Sequence, residues 1–281
     1  MSRCKAFLLA IGCTFLGCEE DPGCLDVLAT NYQVDAEDPC GDCCRYPAFR
    51  LSIRHRWSTP DTTVSFATDT SGFSSGDYRL RFDNLHFYLS NLQLVASDGT
   101  TLNVFDRFDI TISQGSDSTA ITLLDDLLLV DAGSFQTYVT GTYRGSGIFE
   151  SLEMSIGVSE PGAQGTPDDF PDDHPLFTQN PAMYETDQGY RNFRIGVYPE
   201  LSDTVATVIS GFSSGTLPTI SLPISFQLDR GYFTDIELAI DYSTWFAGVD
   251  WNNMTEEEIL DIIIAQHFSS LEMISVTSSL N

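Results

Sequence analysis

Leu85-His86-Phe87-Tyr88-Leu89, running on into Leu92-Gln93-Leu94-Val95 and then a turn at Asp98-Gly99, decides the fold. Rings and branched side chains at this density suit a pleated, half-buried strand, and Asp-Gly suits a tight turn. Phe49, Leu51 and Ile53 alternate with polar neighbours that include Arg50, Arg54 and Arg56, the period of a strand with one face covered. Similar runs lie at 110–112, 127–130, 137–140, 152–158, 193–197, 205–209, 220–228 and 233–240. Roughly ten short strands separated by Gly, Ser, Asp and Pro predict an all-β domain over 48–281, an antiparallel sandwich of the Greek-key kind. One helix is expected at 255–271, where Thr255-Glu256-Glu257-Glu258 is a capping box and Ile259, Ile262, Ile263 and Gln266 recur at helical spacing. The stretch 160–188 holds five prolines and a dense run of aspartates, and a loop of that length inside a compact domain is usually functional or mobile.

The chain begins with a basic, then apolar, segment. Arg3 and Lys5 precede an apolar run from Ala6 to Gly17, too short to span a bilayer as a helix, which marks a removable export signal over 1–17. Leu16-Gly17-Cys18 reads as a lipobox, with Cys18 as the lipidated first residue of the mature chain. Glu19, Glu20 and Asp21 follow, as in surface-export signals of some Gram-negative lipoproteins. The expectation is a lipid-anchored protein at the outer membrane or cell surface of a Gram-negative bacterium.

Cleavage before Cys18 leaves 11 basic residues, all arginine, against 40 acids, a net charge of −29 with no lysine. That balance argues against nucleic acid, whose phosphates it repels, and leaves membrane attachment to the acyl chains. Cys24, Cys40, Cys43 and Cys44 form a cluster within a small module at 18–47. In an exported chain they read as two disulfides rather than a zinc site. Adjacent Cys43 and Cys44 cannot easily pair with each other, so Cys24 takes one of them and Cys40 the other, in either order. The segments Gly23-Cys24-Leu25-Asp26, Ala29-Thr30-Asn31-Tyr32 and Cys43-Cys44-Arg45-Tyr46-Pro47 resemble a short Cys-Asp-Ala-Asn-Tyr repeat of secreted bacterial surface proteins, which implies a stapled spacer.

Catalytic signatures are absent: there is no Gly-x-Ser-x-Gly elbow, no His-Glu-x-x-His pair and no phosphate-cradling glycine loop. The paired acids Asp125-Asp126, Asp168-Asp169 and Asp172-Asp173 are expected to be solvated loop residues rather than a glycosidase acid and base. The four histidines are His55, His86, His174 and His267, of which His86 and His267 read as packing or hydrogen-bonding residues.

The order of several blocks resembles the MbnP-like family of copper-binding lipoproteins. These blocks are Leu51-Ser52-Ile53-Arg54-His55-Arg56-Trp57, Tyr88-Leu89-Ser90-Asn91 and Leu128-Leu129-Val130-Asp131. They continue with Ile156-Gly157-Val158, His174-Pro175-Leu176, Pro181-Ala182-Met183-Tyr184 and Gly189-Tyr190-Arg191. The resemblance implies an exported, non-enzymatic β-sandwich that handles copper, in some members with an oxidised tryptophan made by a di-haem oxidase-type partner. Copper(I) favours imidazole and soft sulfur, so His55, His174 and Met183 are the metal-ligand candidates. Two departures stand out. Between Met183 and Gly189 the family carries two tryptophans where this chain reads Tyr184-Glu185-Thr186-Asp187-Gln188, and the family's later histidine–glycine is Ser210-Gly211. The implied metal site is therefore short of one imidazole. The bland alternatives are a strand-face role for His55, aspartate-bonded loop placement for His174 and gap filling by Met183. A second functional reading is a surface ligand-binding or adhesion module whose 160–188 aspartates hold calcium, and a third is glycan hydrolysis by paired carboxylates.

Overall fold

The computed structural model describes residues 22–68, 72–114, 117–177, 182–212 and 217–280, so the export signal expected at 1–17, Cys18 and Pro181 lie outside the described residues. The strands in chain order are β1 Pro22–Gly23, β2 Asp38–Pro39, β3 Ala48–Ser58, β4 Thr63–Ser65, β5 Phe73–Ser75 and β6 Tyr78–Val95. They continue with β7 Thr101–Asn103, β8 Arg107–Gln114, β9 Asp117–Leu124, β10 Leu128–Asp131, β11 Thr137–Thr142 and β12 Gly147–Ile156. After a short helix α1, Glu160–Ala163, come β13 Tyr184–Glu185, β14 Gly189–Tyr198, β15 Thr207–Phe212, β16 Ile220–Leu228 and β17 Phe233–Asp241. Helix α2, Glu256–Gln266, and β18, Leu271–Ser279, complete the order.

Two sheets pack as a sandwich. The larger runs β13-β14-β6-β12-β16, with β5, β7 and β10 also on β6 and β15 on β14; the smaller runs β11-β3-β17-β18 with β4 on β3. The predicted all-β sandwich is what folds, with one exception to its antiparallel character: β3 and β17 pair in parallel, Phe49 opposite Thr234 through Arg56 opposite Asp241. The residues between them wind through the whole larger sheet, which supplies the long crossover a parallel pair needs. Arginines that alternate with the apolar residues of β3 meet acids on the outer face: Arg50–Asp235 at 2.7 Å, Arg54–Glu237 at 2.5 Å and Arg56–Glu272 at 3.1 Å. The first two pairs join the neighbouring strands β3 and β17 and each contribute about 0.2–1 kcal/mol, while Arg56 reaches past β17 to Glu272 on β18. Their larger role is register, because a slip of one residue would turn these charges into the core.

β6 joins the two runs that the sequence separates. Leu80 and Phe82, then Leu85, Phe87 and Leu89, then Leu92 and Leu94 all enter the core between the sheets. The parity of the inward residue therefore flips twice along one strand. Each flip coincides with a register shift, against β14 between Gly196 and Val197 and against β12 between Glu153 and Ser155. The second is built around Asn91, the one described non-glycine residue with left-handed backbone, φ 56°. Its side chain donates to Ser155 Oγ at 3.3 Å. A short polar side chain tolerates this conformation where most L-residues lose about 1–2 kcal/mol.

The inter-sheet core is strongly aromatic. Trp57, fully buried, touches Phe66, Phe73, Phe82 and Phe246, and its indole N–H donates to Ser74 O at 3.0 Å. A second apolar cluster covers the other face of β6, where Tyr88 and Tyr190 meet Ile110, Phe170, Leu176 and Met183. The long 160–188 stretch is thus a packed cover on the larger sheet at its described residues.

Helix α2 starts at the predicted capping box, Thr255 Oγ1 accepting from Glu258 N–H while the Glu258 carboxylate accepts from Thr255 N–H at 2.8 Å. It buries Ile259 and Ile263, but ends at Gln266, earlier than the expected 271. His267–Ser270 tightens into a 3-10 turn, with Ser270 Oγ donating to His267 O at 2.6 Å, and Leu271 opens β18. The mixed burial of β18 leaves no clear strand period in the sequence. In the amino-terminal module Cys24 bonds Cys44 and Cys40 bonds Cys43, which decides the order the sequence left open. The repeat-like residues tie the module together: Tyr46 donates to Asp26 at 2.8 Å, and Asn31 bridges the Arg45 N–H and Cys43 O. The expected spacer is docked on the sandwich. Arg144 lies over the Tyr46 ring at 4.0 Å and the Phe105 ring at 3.9 Å, and a Cβ at Gly231, φ +75°, would sit 2.7 Å from Ala29 O.

If left-handed backbone at Asn91 sets the inward parity of β6, then Asn91→Gly should change stability by a few tenths of a kcal/mol, whereas Asn91→Val should cost about 1–2 kcal/mol or more. Urea unfolding of the three proteins checks this, and equal stability of the Val and Gly variants would contradict it.

Candidate functional site

His55 lies on β3 with its ring stacked on Tyr242, centroids 5.8 Å apart, and its Nδ1 2.7 Å from the Tyr242 hydroxyl. Tyr242 has no exposed surface, and burial lifts its phenol well above the ordinary range, so it stays protonated. Burial pushes the His55 imidazole down to about 4, with the Asp131 charge opposing, so the ring is neutral at physiological pH. It borders an open cleft of about 680 Å³ between β3–β4 and the turn after β10, where Val64 and Phe135 are exposed at the rim.

Asp131 is the group that the sequence placed in a motif without assigning it a role. Its carboxylate caps the turn by accepting Gly133 N–H at 2.8 Å and lies 3.7 Å from His86 Nε2. The Asp131 backbone N–H donates to Tyr138 Oη at 3.1 Å. Across the larger sheet, Asp131 faces His86, His86 faces Arg194 and Arg194 faces Ser210. Ser210, the position where the implied second imidazole is missing, is thus separated from His86 by a guanidinium. Arg194 donates to Asn84 Oδ1, and its charge adds to burial in lowering His86.

Met183 belongs to the second apolar cluster, on the far face of the larger sheet, and His174 packs against that cluster's Phe108 and Phe170. The His174 ring stacks on Phe170, 4.9 Å between centroids at 13°, and is tilted against Phe108 at 4.7 Å. Instead of the aspartates expected from the sequence, Nδ1 takes the Leu176 N–H at 3.1 Å. Burial holds this ring at about 4, which leaves it neutral with its proton on Nε2. Met183 has no exposed surface and packs with Tyr88, Leu176 and Tyr190. The three candidate ligands are therefore divided between a strand of the smaller sheet and the cover of the larger one. Among the described residues, no three His, Cys, Asp or Glu side chains are grouped so as to hold a metal ion. His267 is buried against Phe268, its Nδ1 3.3 Å from Ile263 O.

One paired acid departs from its expected solvation. Asp126 is 8% exposed, and burial lifts its carboxyl to about 6, against hydrogen bonds from the Asn91 and Asp126 N–H groups that lower it. Asp125 is raised as well, first by burial and then by the neighbouring charges of Asp106 and Asp173. No sequence pattern announces the burial of Asp126, which follows from the β6 bulge folding over it.

These groups act in opposite directions on acid stability. A histidine held at about 4 in the fold and near 6.5 when unfolded contributes stability above pH 6.5 that is lost as pH falls through 4, on the order of 3 kcal/mol for His55. Asp126, raised, gives stability as pH falls from about 6 towards 4. Unfolding free energy should therefore decline between pH 6.5 and 4; His55→Gln should flatten the decline, and Asp126→Asn should steepen it. Urea titrations across that window test the signs, and a flatter profile for Asp126→Asn would refute the assignment.

Comparison with known proteins places this chain in a family. The family model described as MbnP matches residues 46–261. Among solved structures, MbnP from Methylosinus trichosporium is similar at 15% identity and a TM-score of 0.41, covering 72% of this chain and 79% of that one. No curated protein matches the chain. Since the family model spans well over half of the residues, this chain belongs to the MbnP family.

Proposed function

We propose that this chain is an exported, lipid-anchored binding protein of the MbnP family, not an enzyme, whose copper site is incomplete. The observation that carries this reading is the isolation of His55. A neutral imidazole suited to copper(I) borders an open cleft, while His174 and Met183 pack elsewhere. The position of the missing imidazole holds Ser210, and its strand neighbour Arg194 is cationic, which disfavours a metal ion beside it. Stretch 184–188 carries no tryptophan, so a di-haem partner would find no substrate there. The residues present do not fit a multi-ligand copper centre, and copper binding is at most a single-imidazole interaction at His55.

Copper(I) titration against a chelator competitor should show affinity no tighter than about micromolar, abolished by His55→Ala and unchanged by His174→Ala. Tight, stoichiometric binding that survives His55→Ala overturns the reading. For the anchor, the chain recovered from membranes should begin at an acylated Cys18, and Cys18→Ala should release it into the soluble fraction. Mass analysis that finds an unmodified residue at the mature start would count against lipid attachment.

A further inference from the structure

A crevice of about 180 Å³ opens between the β9–β10 connection, the segment after β12 and the 160–188 cover. Leu127, Val158 and Leu176 give it buried apolar walls, and Asp126 and His174 also line it. We propose that this crevice binds a small organic cation, its ammonium on the Asp126 carboxylate and its short hydrocarbon chain against Leu127, Val158 and Leu176.

The chemistry narrows to that class in steps. Asp126 is nine-tenths buried, yet none of the ion pairs among the described residues includes it. Two backbone N–H groups reach its carboxyl, whereas an ionised carboxylate offers about four lone-pair positions. Burying such a charge without a counter-ion is costly, and burial accordingly raises its proton affinity. His174 is engaged elsewhere, its Nδ1 accepting the Leu176 N–H and its ring stacked on Phe170, and it forms no ion pair with Asp126. A metal ion is disfavoured, since no three such ligands are grouped among the described residues and Leu123, Leu127, Val158 and Leu176 make much of the lining hydrocarbon. An alkylammonium ion meets both needs, neutralising the carboxylate and covering the walls. The volume equals about six waters, which matches an amine of about six heavy atoms. A net charge of −27 over the chain enriches cations around the molecule.

The test uses the intact chain with n-pentylammonium and its neutral counterpart 1-pentanol, followed by calorimetry and melting temperature at neutral pH. Pentylammonium should bind saturably, one per chain, at least about tenfold tighter than pentanol. Asp126→Asn should erase the difference between the two probes. Thr122→Trp, at the exposed mouth of the crevice on β9, should block both. Absence of saturable pentylammonium binding, or binding unchanged in Thr122→Trp, overturns the proposal. So does an undiminished preference for the ammonium in Asp126→Asn. Should Asp126→Asn fail to fold, Thr122→Trp alone decides.

Discussion

Burial of both faces of β6 is the constraint on which the rest of the molecule depends. One face sends Leu85, Phe87 and Leu89 into the core between the sheets, while Tyr88, between them in sequence, enters the second cluster. A strand covered on one side can slip at the cost of one face, but this one would exchange two cores at once. The long cover and the β8–β9 hairpin therefore find a fixed surface to close on. The asparagine bulge that turns β6 also brings its N–H to Asp126, so the same local kink sets the register and shapes the crevice beside it.

The smaller sheet is held differently. Its apolar side is nearly all aromatic and branched carbon, and its outer side is a row of arginine–carboxylate pairs. Surface pairs of this kind contribute little individually, and the area buried beneath them dominates. Their value lies in pinning a parallel pair, β3 with β17, whose members are almost two hundred residues apart in sequence.

Much of this was legible before any coordinates. The alternation of Phe49, Leu51 and Ile53 with arginines gave the facing of β3, and Thr255 to Glu258 gave the start of α2. The Cys, Asp, Asn and Tyr of the module proved to be the residues that tie it together. What stayed hidden depends on long-range contact. β18 is a sheet-edge strand with mixed burial, so its periodicity is weak, and the parallel pairing leaves no local mark. The family blocks located His55, His174 and Met183, but a motif says nothing of which side of a sheet a side chain meets. His174 read as a loop residue among acids, yet its ring is clasped by Phe108 and Phe170, supplied by a hairpin and a turn far apart in the chain. Asp126 looked like any other loop aspartate because burial of a charge is decided by what folds over it.

The docking of the disulfide module gives the molecule a polarity of display. The module sits against Arg144 and the β16–β17 turn, at the end of the sandwich where β3 begins. His55 is seven residues further along that extended strand, about 23 Å away at the usual rise. The module therefore marks one pole of the sandwich, and the His55 cleft opens towards the other, so under the proposed amino-terminal anchoring the cleft would be displayed away from the attachment.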